Sequence, residues 1–319
     1  MNDNIRKLRV AMIGMGDIAR KVYLPLLAQH KYAEVVGIMS RSQATVDEVV
    51  QTYRFPQGTT DLETLLSWNV DAVFVHSPTE THYDTVMKCL QSGLNVYVDK
   101  PLSGNLNESK EMAAYAASKG LLLAVGFNRR FAPMYMQAKQ WMEDAGGFDQ
   151  CSAVKHRTRL QASSSNDTIM DDLIHVLDLL LWLSSGDYQL LEHQLTENEQ
   201  GQMLHTSGIL GLSDNRMGSY SMIRRAGSDL ERVELHGNGH SAEITNLEHA
   251  IFHAKGQSAQ TQTFGSWDTI LKRRGFSGAV DHFLDCIGSP QQCSIRADLV
   301  LDSHILADEL IRRGSANNG

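Results

Sequence analysis

The stretch Leu8-Arg-Val-Ala-Met-Ile13, followed by Gly14-Met-Gly16-Asp17-Ile18-Ala19, sets the reading of the whole chain. The first six residues are mostly apolar and read as a buried strand, and the spacing G-x-G-x-x-A that follows fits the dinucleotide fingerprint. Gly14 permits the tight turn, Gly16 lets backbone amides approach a pyrophosphate, and Ala19 lets the helix lie close on the strand. Asp17 and Ile18 open that helix, whose unsatisfied N–H groups would face a phosphate. A bare tight turn is the alternative, because one such motif alone is not specific.

Outward from this turn the first third keeps one rhythm. Strands at 34–39, 72–76, 95–98 and 121–125 alternate with helical patterns at 23–30, 44–53, 62–68, 82–92 and 107–119. The strands are apolar on both faces, which suits a doubly wound parallel sheet covered by helices. After residue 126 the rhythm changes. Helices are expected at 133–145 and 169–183, and strands at 152–160, 192–196, 205–212, 217–223, 230–236 and 242–247, joined by short Gly, Ser, Asn and Asp turns. Such spacing argues for a mostly antiparallel sheet. Residues 254–263, rich in Gln, Ser and Thr, read as an exposed loop, and two helices at 279–287 and 297–312 follow. The expected fold class is α/β: a Rossmann domain over 1–126, then an α+β domain with a large sheet over 127–319.

Composition narrows the function. In 319 residues, 42% are hydrophobic and 21% charged, enough apolar surface to exclude a disordered chain. The net charge of -8, from 29 basic and 37 acidic residues, opposes nucleic-acid binding. Cys89, Cys151, Cys286 and Cys293 form no Cys-x-x-Cys pair, so neither a disulfide framework nor a metal site is expected. The apolar run from Val10 stops at Asp17, and the greasiest stretch, 177–183, falls far short of the ~20 residues of a membrane span. A cytoplasmic protein without membrane contact is expected.

Three further clusters carry candidate chemistry. Ser40-Arg41-Ser42 ends the second strand, where an acid would select NAD. With no acid there, Arg41 either contacts adenine or a 2′-phosphate, tilting the choice from NAD toward NADP, or is a solvated loop residue. Asp99-Lys100-Pro101 ends a strand at the sheet edge where ligands of such folds bind, so Lys100 either reaches a substrate hydroxyl or is a surface lysine. Asp171, His175 and Asp178 fall at i, i+4 and i+7 on an almost wholly apolar helix. An imidazole between carboxylates suits an oriented proton carrier, although Thr168-x-x-Asp171 also fits a capping box and His175 a satisfied core histidine. Lys155 and Arg157 alternate with His156 on one strand, and Arg224-Arg225 end another. They read as a solvated face or as contacts to an acidic or phosphorylated sugar.

Taken in order, the glycine turn, Ser77-Pro78 with His82, Asp99-Lys100-Pro101, Gly126-Phe-Asn128-Arg129-Arg130-Phe131 and Asp171-x-x-x-His175 resemble the Gfo/Idh/MocA oxidoreductases, and more narrowly their MviM group, over nearly the whole chain. The resemblance implies a nicotinamide cofactor held by the glycine turn, Ser40 to Ser42, Ser77, Pro78, His82, Asp99, Lys100, Asn128 and Arg129. It implies Lys100, Asp171 and His175 as catalytic residues, a sugar or cyclic polyol as small-molecule substrate, and a homo-oligomer formed through the second sheet. Asp99 stands where the family usually has glutamate, Leu173 where it often has glycine, and no Gly-Gly precedes Asp171. These departures keep a second function open, a non-catalytic cofactor-sensing regulator on the same scaffold.

Overall fold

The computed structural model describes residues 6–317, with side chains to residue 314. Two compact units divide them. The first runs to Gly126 and takes in Ala279–Leu301; the second holds Phe127–Gly278 and the residues from Asp302 onward.

In the first unit, β1 (Leu8–Ile13), β2 (Ala33–Met39), β3 (Gln57–Thr59), β4 (Ala72–Val75), β5 (Asn95–Val98) and β6 (Leu123–Val125) form a parallel sheet in the order β3-β2-β1-β4-β5-β6. That order reverses direction between β1 and β4, where open α/β sheets leave a ligand crevice. The sheet is dry: β4 is buried at every position, as expected with helices on both faces. Those helices are α1 (Leu24–Ala28), α2 (Gln43–Tyr53), α3 (Leu62–Leu66), α4 (His82–Gln91) and α5 (Leu106–Lys119). Their ends follow local chemistry. Ser42, Asp61 and Asn105 accept the amide of the first turn of α2, α3 and α5, and Gly120 closes α5 at φ 65°.

The second unit starts with α6 (Pro133–Asp144) and β7 (Gln150–His156). A continuous helical run follows: α7 (Ser165–Thr168), a wider turn over Ile169–Leu173, and α8 (Ile174–Ser184). Then come β8 (Tyr188–Glu197), β9 (Met203–Leu212), β10 (Arg216–Ile223), β11 (Leu230–Gly237), β12 (His240–Thr245), β13 (His249–Ala254) and β14 (Gln260–Thr263). Their order is β14-β13-β12-β11-β7-β10-β9-β8, antiparallel except for the parallel pair β7–β10. Helices α9 (Ile270–Arg273), α10 (Phe276–Cys286) and α11 (Leu301–Asn317) end the chain. None of the described helices is long and apolar enough to cross a membrane.

Several expectations change. Strand β3 was unforeseen, since Gln57-Gly-Thr59 lacks the apolar character of its neighbours, and β13 was not among the expected strands either. The expected loop at 254–263 ends in β14, an edge strand exposed at all four positions, where pairing with β13 outweighs a polar sequence. The residues after 278, expected in the second domain, contribute Ala279–Leu301 to the first unit. Phe283 packs edge-on against Phe74 (5.3 Å) and Tyr97 (5.5 Å), and the Val125 amide donates to the Ile295 carbonyl at 2.9 Å beside β6.

The buried end of the second unit depends on one ion pair. Arg130 holds Asp178 with two hydrogen bonds, Nε to Oδ2 at 2.9 Å and Nη2 to Oδ1 at 2.6 Å, and Ser303 donates to the same carboxylate at 2.8 Å. Asp178 is 1% exposed. Asp178→Asn should therefore cost about 3–5 kcal/mol, because it removes the charge from one side of a buried ion pair. Arg312→Ala, which breaks an exposed pair with Asp308, should cost under about 1 kcal/mol. Urea unfolding at pH 7 checks both, and equal losses would remove the distinction.

Candidate active site

Gly14 turns the chain at φ +86°, and it does so in no free space. A Cβ there would lie 2.4 Å from the Ser77 amide nitrogen and 2.6 Å from the His76 carbonyl carbon. Glycine is thus required twice, for its dihedral and for the close approach of the turn after β1 to the end of β4. Gly16 differs: a Cβ there would meet nothing within 4 Å. Its open side belongs to a hollow of about 780 Å³ at the switch point. Gly14, Gly16, Asp17, Ile18, Ser40, Arg41, Ser42, Ser77 and Pro78, all expected at the cofactor, line this hollow. Met15, Met39, Thr45, His76, Thr81 and Thr85 join them, and nothing in their spacing announced it.

Other expected cofactor residues sit elsewhere. Ala19 is fully buried against the sheet. His82 is buried too, with Nδ1 3.0 Å from the Pro101 carbonyl and Nε2 2.9 Å from the Ser77 carbonyl, so it ties the ends of β4 and β5 together. Asp99 bonds His76 Nδ1 at 2.8 Å, and His76 stacks on Tyr23 at 3.9 Å. Burial opposes the Asp99 charge, but His76 and Tyr23 outweigh it and hold the carboxyl below its usual range. Lys100 follows directly at the carboxyl end of β5, half-buried, before a cis Pro101. Asn128 and Arg129 belong to the second unit, where Asn128 donates to the Arg274 carbonyl (2.7 Å) and Arg129 holds Glu231 at 2.5 and 2.9 Å. Ser42 Oγ accepts the Thr45 amide as the cap of α2, which leaves Arg41 as the exposed cation of that loop.

In the second unit His175 lies at the start of α8, 7% exposed, edge-on to Phe127. Its expected neighbours divide. Asp171 is exposed and accepts from Gln161 at 3.3 Å. It does not cap the helix: the capping box is Ser164 with Asp167, four residues earlier. Asp178 is committed to Arg130, so it is no relay for an imidazole. The carboxylate that the sequence did not single out is Asp172. Lys155 and Arg224 both bond it, and Arg129 and Glu231 pair alongside. Burial lowers the Lys155 ammonium to about 8 and resists the charge of Glu231, yet the guanidinium of Arg129 and the Lys155 ammonium bring Glu231 down to about 2. Lys155 and Arg224 are thus buried and paired, against the reading of a solvated face. The wider turn at Ile169–Leu173 lets Asp172, not Asp171, point at the sheet; such turns recur at functional sites. All four cysteines are buried free thiols, and among the described residues His282, Cys286 and Cys293 form one cluster of metal-ligating type. The Ser294 amide already donates to His282 Nε2 there at 2.8 Å.

Two family matches cover the two chemistries: an oxidoreductase family with an NAD-binding Rossmann fold over residues 8–127, and the YceM-like C-terminal domain over 133–255. The YceM protein of Salmonella typhimurium is 36% identical over 284 residues, covering 89% of this chain and 90% of that one. The crystal structure of a dehydrogenase (MviM) from Clostridium difficile superposes with a TM-score of 0.90 at 31% identity, covering 97% and 100%. A scyllo-inositol 2-dehydrogenase (NAD(+)) of Bacillus subtilis is 26% identical over 330 residues, covering 97% and 95%. The glycine turn, its hollow and these matches define a nicotinamide-dependent oxidoreductase. The chain belongs to the Gfo/Idh/MocA family and resembles its MviM members.

The residues present fit a nicotinamide nucleotide, since Gly16 offers backbone amides without a side chain beside a hollow of sufficient size. Gly16→Val should abolish NAD(P)H binding, followed by nucleotide fluorescence, while the unfolding midpoint stays near wild type; unchanged affinity would remove the turn from the site. Acid stability tests the charge cluster. Glu231, whose folded pKa lies below its ordinary 4.5, contributes stability that is present above that value and lost as pH falls through about 2. Glu231→Gln should flatten the pH dependence of unfolding free energy across that window, and a slope like wild type's would place the shift elsewhere.

Proposed function

We propose that this enzyme moves a hydride between NADP or NAD and the carbinol carbon of a sugar, cyclic polyol or derivative. The observation that supports this most is the buried His175 on a helix fixed to the sheet one turn away by Asp172, because a proton carrier needs a defined orientation more than exposure. The nicotinamide, when bound, supplies or takes the hydride. His175 takes the hydroxyl proton during oxidation and returns it during reduction. Lys100 donates to the same oxygen, and Asp171 orients substrate from the exposed side of the helix. The glycine turn holds the pyrophosphate, and Arg41 favours the 2′-phosphate of NADP. Ser77 and Pro78 border the nicotinamide half. The inositol dehydrogenase relative supports the substrate class.

A homo-oligomer fits the second sheet, where Leu191, Ile209, Met217 and Ile223 stand exposed on the neighbouring strands β8, β9 and β10. The regulator alternative has no feature of its own in the site.

A cofactor-reduction screen across sugars, sugar acids, sugar phosphates and inositols, run with NAD and with NADP, tests the reading. With the substrate found, His175→Ala should lower turnover about 10²–10⁴-fold at nearly constant cofactor affinity. Arg41→Ala should weaken NADP binding more than NAD binding. Wild-type turnover in the His175 variant would refute its proton role.

A further inference from the structure

At one end of the second sheet, β7 and β10 finish and β11 begins, and the residues just beyond them enclose a hollow of about 350 Å³. Arg157, Thr158, Arg159, Arg224 and Asp229 line it. Three guanidiniums therefore face one carboxylate, and that carboxylate is engaged: Asp229 Oδ1 accepts the Thr158 amide at 2.8 Å and its hydroxyl at 3.1 Å. Arg224 is 7% exposed, with one end of its guanidinium on Asp172. Its Nε is buried and has no hydrogen-bond partner. A guanidinium carries five donors, and the hollow's own carboxylate is taken up by Thr158, so its three arginines hold more donors than its lining offers acceptors. Arg157 donates one Nη to the His156 carbonyl at 2.9 Å and reaches Glu231 at 3.7 Å, and Arg159 is exposed.

We propose that this hollow is an anion subsite, and that the enzyme's substrate carries a phosphate or carboxylate that Arg157, Arg159 and Arg224 bind. Guanidinium forks match the planar carboxylate and the phosphate edge, which an ammonium does not. The subsite connects to the reaction through a short path. Arg224 holds Asp172, the neighbour of Asp171 and one helical turn before His175, so an anion seated on Arg224 is one ion pair away from the helix that carries the proton acceptor. This rests on the dehydrogenase reading above.

The test is calorimetric titration of the full chain, saturated with NADH so that the glycine turn is filled, with inorganic phosphate in one arm and glucuronate in the other. At least one anion should bind, with affinity falling as salt rises. Arg159→Gln, at an exposed residue, should weaken it about tenfold or more, and Arg224→Lys, which keeps a cation for Asp172, should do the same. Binding of phosphate alone assigns a phosphorylated substrate, and binding of glucuronate alone a sugar acid. Binding of neither anion, or affinities unchanged in both variants, overturns the subsite. Turnover of neutral polyols separates the two readings: turnover with no anion bound removes the subsite and leaves the dehydrogenase, whereas anion binding weakened by both variants upholds the subsite even if no substrate is turned over.

Discussion

Two carboxylates, one half-buried and one buried, fix the helix that carries His175. Asp172, three residues before it, is held by the buried Lys155 of β7 and Arg224 after β10; Asp178, three residues after it, is held by Arg130 and Ser303. Shifting either would strand buried charge, on Lys155 and Arg224 or on Asp178 itself, so rotation and sliding of the helix are both opposed. Apolar packing alone would tolerate small rotations, because Leu, Ile and Val around the helix present similar surfaces on all sides. The ion pairs supply the registry that the greasy sequence 173–183 lacks, and His175 inherits it.

The first unit reaches definition by the opposite means. Its sheet is held by dry, nearly featureless strands, and its selectivity lies in what is missing. Gly14 has no side chain because Ser77 and His76 occupy that space, and Gly16 has none beside an open hollow. Around that absence sits a buried polar chain, from Tyr97 to Tyr23 to His76 to Asp99, that ends one residue before Lys100. Asp99 is held in place by His76 and Tyr23 together.

The sequence was most informative where function and local geometry coincide. The glycine turn needs its residues at fixed offsets, so its strand, helix and hollow were all legible. The parallel sheet was legible too, since buried strands declare themselves by unbroken apolar runs, and only polar β3 escaped. The charge cluster was not legible. Asp172 and Glu231 look like ordinary surface acids until strands 70 residues apart bring Lys155, Arg129 and Arg224 onto them. Asp171 and Asp178 drew attention through ideal helical spacing, which the wider turn at Ile169–Leu173 does not obey. Long-range ion pairs leave no period in a chain; only the fold shows them.

The return of Ala279–Leu301 to the first unit bears on how the protein is made. The glycine turn is made some way ahead of this segment, yet the edge of β6 stays uncovered and Phe74 and Tyr97 lack Phe283 until Ala279–Leu301 has emerged. Neither unit can therefore be completed in the usual domain-by-domain order, because the first waits for Ala279–Leu301 and the second for the residues from Asp302 onward, Ser303 among them. Nucleotide competence is then a late event in biogenesis, and a nascent chain arrested before residue 279 displays the fingerprint without the completed core behind it.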